Sequence, residues 1–206
     1  MAPPVVTLEP VAEGDKAVLA NLVQLYRYDF SEVRGYELTE HGTFVYRFLD
    51  HYWTEPGRHA FFVRVDGRLA GFALARQIGD GHEVAEFFVA RRHRRARVGR
   101  AAALALFARL PGRWTLFHDD ANEPAARFWE RMVAEASDGA FGRDQVTTSA
   151  GFAGVNYRFC SRPLSGGAPF IPLPEGLRTP DAPPGACSTV SPTSTTGPGP
   201  ATPPTS

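Results

Sequence analysis

Cysteine, net charge and long apolar runs are scarce or absent in this sequence of 206 residues. Its two cysteines, Cys160 and Cys187, fit neither a zinc-binding pattern nor a disulfide-rich framework. Basic and acidic residues number 22 each, whereas a dedicated nucleic-acid-binding domain is normally basic. No apolar run approaches the ~20 residues of a membrane span, and the N-terminus lacks the charged and apolar segments of a secretory signal. These absences predict a cytoplasmic protein with no metal site and no membrane span, and the balanced charge disfavours nucleic acid as a partner.

The composition changes near residue 163. Residues 1–162 carry most of the large apolar side chains and are long enough for one domain with a substantial core. Residues 163–206 consist mainly of Pro, Gly, Ser and Thr, and cannot bury enough apolar surface to offset the entropy lost on ordering. We therefore predict one folded domain over 1–162 and a disordered C-terminal tail over 163–206.

Hydrophobic periodicity in the first 162 residues predicts alternating strands and helices. The strongest hairpin signal is Asp66-Gly67 between two apolar runs. Helices are predicted over 13–30, 39–53 and 98–110 and from Asn122 onward, and strands over 5–11, 59–65, 68–78, 82–89, 113–119 and 152–160. This order predicts a mixed α/β (α+β) fold, a mixed sheet with helices on both faces.

The segment FFVARRHRRARVGRAAALALF, residues 87–107, turns from apolar to arginine-rich and then to a nearly uncharged helix. A strand that leads into a helix N-terminus exposes amide N–H groups at the positive end of the helix dipole, a natural site for pyrophosphate. Gly99 would let a phosphate approach the backbone, and the alanines at 101–103 would let the helix pack closely on the sheet. Two alternatives remain at this point: the six arginines between Arg91 and Arg100 contact nucleic acid, or they form a solvated loop.

These motifs resemble the GNAT N-acetyltransferase superfamily. The resemblance rests on RRARVG (Arg94 to Gly99), on the preceding EFFV (Glu86 to Val89) and on the later NEPAARFW (Asn122 to Trp129). The family motif is Gln/Arg-x-x-Gly-x-Gly/Ala, in which Arg94 and Gly99 take the first and last positions and Arg97 stands where the first glycine is usual. The resemblance implies a GNAT-like, mostly antiparallel sheet flanked by helices. It also implies acetyl-CoA as co-substrate and an amine as acceptor.

By the same resemblance, several positions would contact acetyl-CoA. The strand backbone would pair with the pantetheine arm, the following turn would bind the pyrophosphate, and two residues of the next helix would lie beside the cofactor. The positions implied are Phe87, Phe88 and Val89 for the arm, Arg94, Arg95, Ala96, Arg97, Val98, Gly99 and Arg100 for the turn, and Asn122 and Phe128 for the helix. Asn122 is also predicted to be a helix N-cap, a role compatible with the first.

Glu86 is the candidate catalytic base, because a carboxylate in an apolar strand beside the acetyl site should have a raised pKa. Glu83 competes with it and is expected on the opposite face of the strand. A backbone N–H near Val89 would polarise the thioester oxygen. Where many family members carry a tyrosine that protonates the leaving thiolate, this chain has Trp129, which we expect to pack.

The resemblance also implies that residues 26–37 and the second predicted helix, the variable region of the family, form the acceptor side. Asp29, Glu32 and Glu37 would attract a cationic amine there, or would be solvated surface carboxylates. The aromatic residues at 28, 30 and 36 would line a pocket or pack in the core. The identity of the amine and the oligomeric state stay open, a homodimer being one option. A non-catalytic member of the fold, binding acetyl-CoA or a partner, is the main alternative function.

Overall fold

The computed structural model describes residues 4–161, so the tail predicted over 163–206 lies outside the described residues. Strands and helices follow one another in the order expected of a mixed α/β chain. They are β1 (Val6–Pro10), α1 (Lys16–Arg34), α2 (His51–Thr54), β2 (Arg58–Val65), β3 (Arg68–Ile78), β4 (Gly81–Val89), α3 (Val98–Arg109), β5 (Gly112–Asp119), α4 (Glu123–Ser137), β6 (Phe141–Thr147) and β7 (Ala153–Ser161).

Seven strands form one sheet in the order β1-β2-β3-β4-β5-β7-β6. Every neighbouring pair is antiparallel except β4 and β5, which are parallel because α3 connects them. The Asp66-Gly67 turn joins β2 to β3 as predicted, and both residues have positive φ, 49° and 76°. The mixed, mostly antiparallel sheet predicted from the sequence is confirmed.

Helices cover both faces of the sheet. Helices α3 and α4 enclose the larger core, in which Ala102 and Ala103 are fully buried and bring α3 close to the strands. Helix α1 packs on the other face through Leu19, Val23 and Tyr26. No helix within the described residues is long and apolar enough to cross a membrane.

The helix predicted over 39–53 is wrong, since only the single turn His51–Thr54 is helical there. Gly42 has a φ of 69°, and Thr39 and Thr43 bond to each other as a turn. The side-chain amide of Gln24 on α1 then bonds both the N–H and the carbonyl of Phe44. These hydrogen bonds satisfy backbone groups of the segment while it forms a loop against α1. The helical spacing of its apolar residues does not reveal such contacts.

Strand β6 (Phe141–Thr147) was not predicted from the sequence. Its residues FGRDQVT contain only two large apolar side chains, because the strand forms the edge of the sheet and buries little surface. Its pairing with β7 over seven residue pairs defines it.

Candidate functional site

Strands β4 and β5 diverge and leave a cleft between their C-terminal ends. Their last paired residues are Val84 and Leu116, although β4 continues to Val89 and β5 to Asp119. Beyond this point β4 pairs only with β3, and β5 pairs only with β7. The cleft edge of β4 therefore carries backbone groups without a strand partner, which can pair with an extended ligand.

A β-bulge lies on β4 where the divergence begins. Leu74 of β3 is opposite Glu86, whereas its neighbour Ala75 is opposite Val84, so Ala85 is the extra residue. A bulge bends its strand and changes the direction of the side chains that follow.

The bulge places Glu83 and Glu86 on the same face of the sheet. Their partners on β3 are Arg76 and Leu74, two residues apart and hence on one face. The expectation that the two glutamates lie on opposite faces is therefore wrong, because simple alternation does not count the extra residue. Glu83 forms an ion pair with Arg76, which engages its carboxylate.

The loop after β4 turns into α3 and presents a row of free amides. Arg95 and Arg97 have φ values of 65° and 60°, in the left-handed region, and Arg97 is the N-cap of α3. Within residues 4–161 the backbone N–H groups of 95–100 donate no hydrogen bond, and the first helical bond runs from Ala101 to Arg97. Six consecutive unpartnered amides at the positive end of a helix dipole are the donor set that pyrophosphate requires.

Arg97 occupies the place of the usual first glycine with the backbone conformation that glycine adopts most readily. The departure from the motif therefore changes the side chain and preserves the turn. Gly99 lies in the first turn of α3, where a Cβ atom would stand 3.2 Å from Cε2 of Phe128. Glycine at this position thus lets α3 approach α4, a role the sequence did not suggest.

Half of the arginines in the turn are bound to carboxylates. Asp29 of α1 accepts hydrogen bonds from Arg91, at 2.9 and 3.1 Å, and from Arg94, whose Nε also donates to the Val89 carbonyl at 2.7 Å. Arg100 pairs with Glu135 of α4. Within the part of the chain that the structure describes, Arg92, Arg95 and Arg97 have no carboxylate partner and stay exposed beside the free amides.

Asn122 caps α4, as predicted, since its Oδ1 accepts a hydrogen bond from the N–H of Ala125 at 3.2 Å. Phe128, one turn into the helix, stacks on Phe87 of β4 with ring centroids 5.9 Å apart. Trp129 is buried against both rings, which confirms that it packs. Asn122 and Phe128 therefore stand at the α4 side of the cleft.

Glu86 lies under α1 with its carboxylate largely shielded from solvent. The hydroxyl of Tyr26 donates a hydrogen bond to Oε2 of Glu86. Burial raises the pKa of Glu86, as the sequence predicts, while the Tyr26 bond and the charges of Arg27 and Arg34 oppose that rise. Burial and the neighbouring Glu86 raise the pKa of Tyr26 well above its usual value, so Tyr26 holds its proton and donates the bond.

Arg34 and Asp119 form a partly buried ion pair that the sequence did not reveal. Arg34 ends α1, and its guanidinium bonds both carboxylate oxygens of Asp119, at 2.9 and 3.1 Å. Asp119 ends β5 and is 4% exposed. The pair ties α1 to the far side of the cleft across 85 residues of sequence. The only signal in the sequence was an aspartate directly after an apolar strand, which many loops share.

Of the three carboxylates predicted to attract the amine, Asp29 is engaged in ion pairs with Arg91 and Arg94, which neutralise its charge. Glu32 and Glu37 are exposed. Phe30 packs against Tyr26 in the core, whereas Tyr28 is exposed. The ring of Tyr36 stacks on the guanidinium of Arg27 at 4.0 Å.

Solved structures with a similar fold include three acetyltransferases. An acetyltransferase from Thermus thermophilus has a TM-score of 0.59 at 20% sequence identity, over 77% of this chain and 99% of its own. An aminoglycoside acetyltransferase in complex with coenzyme A and kanamycin has a TM-score of 0.54 at 18% identity, over 75% and 95%. A spermidine N-acetyltransferase chimera from Vibrio cholerae and hSSAT has a TM-score of 0.51 at 14% identity, over 76% and 95%. At these identities the likeness establishes the shared fold.

A search of curated proteins finds no match to this sequence. The model of the acetyltransferase (GNAT) family matches residues 20–133, more than half of the chain, including the cleft, the turn and most of α4. The chain therefore belongs to the GNAT family of acetyltransferases, enzymes that use acetyl-CoA as co-substrate.

Proposed function

We propose that this enzyme transfers the acetyl group of acetyl-CoA directly to an amine of a small molecule or peptide, without an acyl-enzyme. The observation that carries the proposal is the row of six free amides, residues 95–100, beside the cleft between β4 and β5. Acetyl-CoA supplies a thioester whose carbonyl carbon an amine can attack. We assign this reaction to the domain of residues 1–162. The cytoplasmic location expected from the sequence stays a prediction.

The proposed binding residues surround this cleft. The β4 backbone at 87–89 would hold the pantetheine arm, and the amides of 95–100 would hold the pyrophosphate. Asn122 and Phe128 would flank the cofactor from α4. Arg94 would act indirectly, since its guanidinium holds the end of β4 and α1 in place rather than standing free for a phosphate.

Glu86 is proposed as the base that accepts the proton of the attacking amine. A carbon–nitrogen bond forms, the carbon–sulfur bond breaks, and the thiolate takes a proton from water, because the indole of Trp129 is a very poor acid. A carboxylate with a raised pKa is better matched to this transfer near neutral pH than an ordinary one. A backbone N–H near Val89 would stabilise the developing oxyanion.

Thiol release from acetyl-CoA in the presence of an amine tests this assignment. We expect kcat/KM to rise with pH as Glu86 ionises, and Glu86→Gln to lower it about 100-fold or more and to abolish that rise. Glu83→Gln is the matched control, since Glu83 lies on the same face and is held by Arg76. Loss of the pH dependence in Glu83→Gln, with Glu86→Gln unaffected, would assign the base to Glu83 instead.

The two alternatives from the sequence receive less support. Three of the six arginines of the turn are engaged by Asp29 and Glu135, which leaves a small basic surface for a nucleic acid. The features that favour a non-catalytic role are Arg97 at the place of the usual first glycine and Trp129 at the place of the usual tyrosine. The left-handed backbone kept at Arg97 and membership of an acetyltransferase family support the enzyme instead.

A further inference from the structure

Exposed apolar side chains are concentrated on the acceptor side of the site. Among the described residues, eight large hydrophobic side chains are exposed, and five of them fall within residues 25–48. These five are Leu25, Tyr28, Leu38, Val45 and Phe48. Contiguous exposed apolar surface is typical of a binding site, whereas scattered single residues are ordinary.

A cavity of about 350 Å³ lies between the end of α1 and the loop that follows it, and two of the five exposed side chains, Val45 and Phe48, line it. It is lined by Arg27, Gly35, Tyr36, Glu37, Phe44, Val45, Arg47 and Phe48. Its volume suits a small organic molecule, and four of the eight lining residues are aromatic or aliphatic while three are charged.

Tyr36 connects this cavity to the cleft. Its ring lines the cavity beside the guanidinium of Arg27, 4.0 Å from the ring centroid, and its hydroxyl accepts a hydrogen bond from Arg34 at 3.3 Å. Arg34 in turn bonds Asp119, which ends β5 at the cleft. A molecule in the cavity would therefore lie next to the side chains that hold α1 over the cleft.

The charges of this region do not suit a polycation. Asp29 and Asp119 are neutralised by arginines. The cavity is lined by two arginines, Arg27 and Arg47, and by one carboxylate, Glu37, so its lining carries a net positive charge. A polyamine or aminoglycoside with three or more positive charges would be repelled by this lining.

We infer that the acceptor is a monoamine with an aromatic or branched apolar substituent, which the cavity lined by Phe44, Val45 and Phe48 would bind. This inference rests on the proposed amine-acetylation function. It assigns those side chains to substrate selection, while Glu86 and the amides of 95–100 serve the transfer itself.

Thiol release with a panel of amines tests the inference, using 2-phenylethylamine, tryptamine and isopentylamine against spermidine and kanamycin. We expect kcat/KM for the best apolar monoamine to exceed that for either polycation at least tenfold. Phe48→Ser, a change at an exposed position, should lower kcat/KM for that monoamine about tenfold and leave the KM for acetyl-CoA unchanged. Ile78→Ser is the matched control, because Ile78 is an exposed apolar residue at the β3–β4 turn.

The outcomes separate the inference from the function on which it rests. Preference for spermidine or kanamycin, or an unchanged rate in Phe48→Ser, would overturn the inference and leave acetyl transfer standing. Failure of every amine to release thiol, with acetyl-CoA still bound in calorimetry, would overturn both.

Discussion

Glu86 shows at the scale of one residue how burial and hydrogen bonding oppose each other. Burial disfavours the carboxylate and raises the pKa, whereas the hydroxyl of Tyr26 and the charge of Arg34 stabilise the carboxylate. Burial dominates, so the pKa stays raised. Tyr26 is therefore a positioning residue, which sets the direction of the carboxylate and limits how far its pKa rises.

Tyr26→Phe should raise the pKa of Glu86 further. The bond from Tyr26 favours the charged form, so its loss favours the protonated form, and the acidic limb of kcat/KM should move to higher pH by about one unit. An infrared titration of the Glu86 carboxyl should move in the same direction. Tyr157→Phe is the control, because Tyr157 lies in the other core. If the infrared titration does not shift, Tyr26 has no influence on the pKa of Glu86. If the infrared titration shifts but the acidic limb of kcat/KM does not, Glu86 is excluded as the base.

At the scale of elements, the junction of β4, the turn and α3 makes the anion site. Arg95 and Arg97 lie in the left-handed region, which costs non-glycine residues free energy, and such strain is concentrated at functional sites. The turn keeps this conformation because Arg94 and Arg91 hold it to α1 through Asp29. The helix N-terminus then directs its amides outward.

Arg97→Gly and Arg97→Val separate the backbone conformation from the side-chain charge. Both variants lose the guanidinium, but glycine accepts a φ of 60° and a β-branched residue does not. We expect the valine variant to bind acetyl-CoA about tenfold more weakly than the glycine variant, which is about 1.4 kcal/mol in calorimetry. Equal affinities would mean that the left-handed turn at this residue does not matter for binding.

On the scale of the whole molecule, α1 closes one face of the cleft because two charged clusters hold it. Asp29 joins it to the turn, and Arg34 joins it to the end of β5.

The opposite end of the sheet contains a different polar group, His59, which is 6% exposed and whose Nε2 has no hydrogen-bond partner within residues 4–161. Burial, together with His82 and Arg109, lowers its pKa to about 4.

The buried His59 should make the protein less stable as the pH falls. Between about pH 6.5 and 4 the unfolded chain binds a proton that the folded His59 does not, so stability falls with falling pH, by roughly 3 kcal/mol in total. Chemical denaturation across this range should show that slope, and His59→Gln should flatten it. His41→Gln is the control because His41 is exposed. An equal slope in the wild type and in His59→Gln would contradict the assignment.

Local features of the site follow from the sequence because they depend on short-range physics. A strand that runs into a helix exposes amides wherever it occurs, Asn122 caps the helix that begins beside it, and Asp66-Gly67 closes its own hairpin. Family motifs add the identity of the co-substrate. Each of these features or motif segments lies within a short stretch of consecutive residues.

Tertiary structure alone decided the charge and shape of the acceptor side. The ion pairs of Asp29 and Arg34 join residues 62 and 85 positions apart, and no periodicity encodes such partners. The extra residue Ala85 reversed the expected face of Glu83, since a bulge is defined by the neighbouring strand. The segment 39–50 became a loop because Gln24 of α1 bonds its backbone. Contacts of this kind depend on where distant segments meet, and only the packed sheet and helices bring them together.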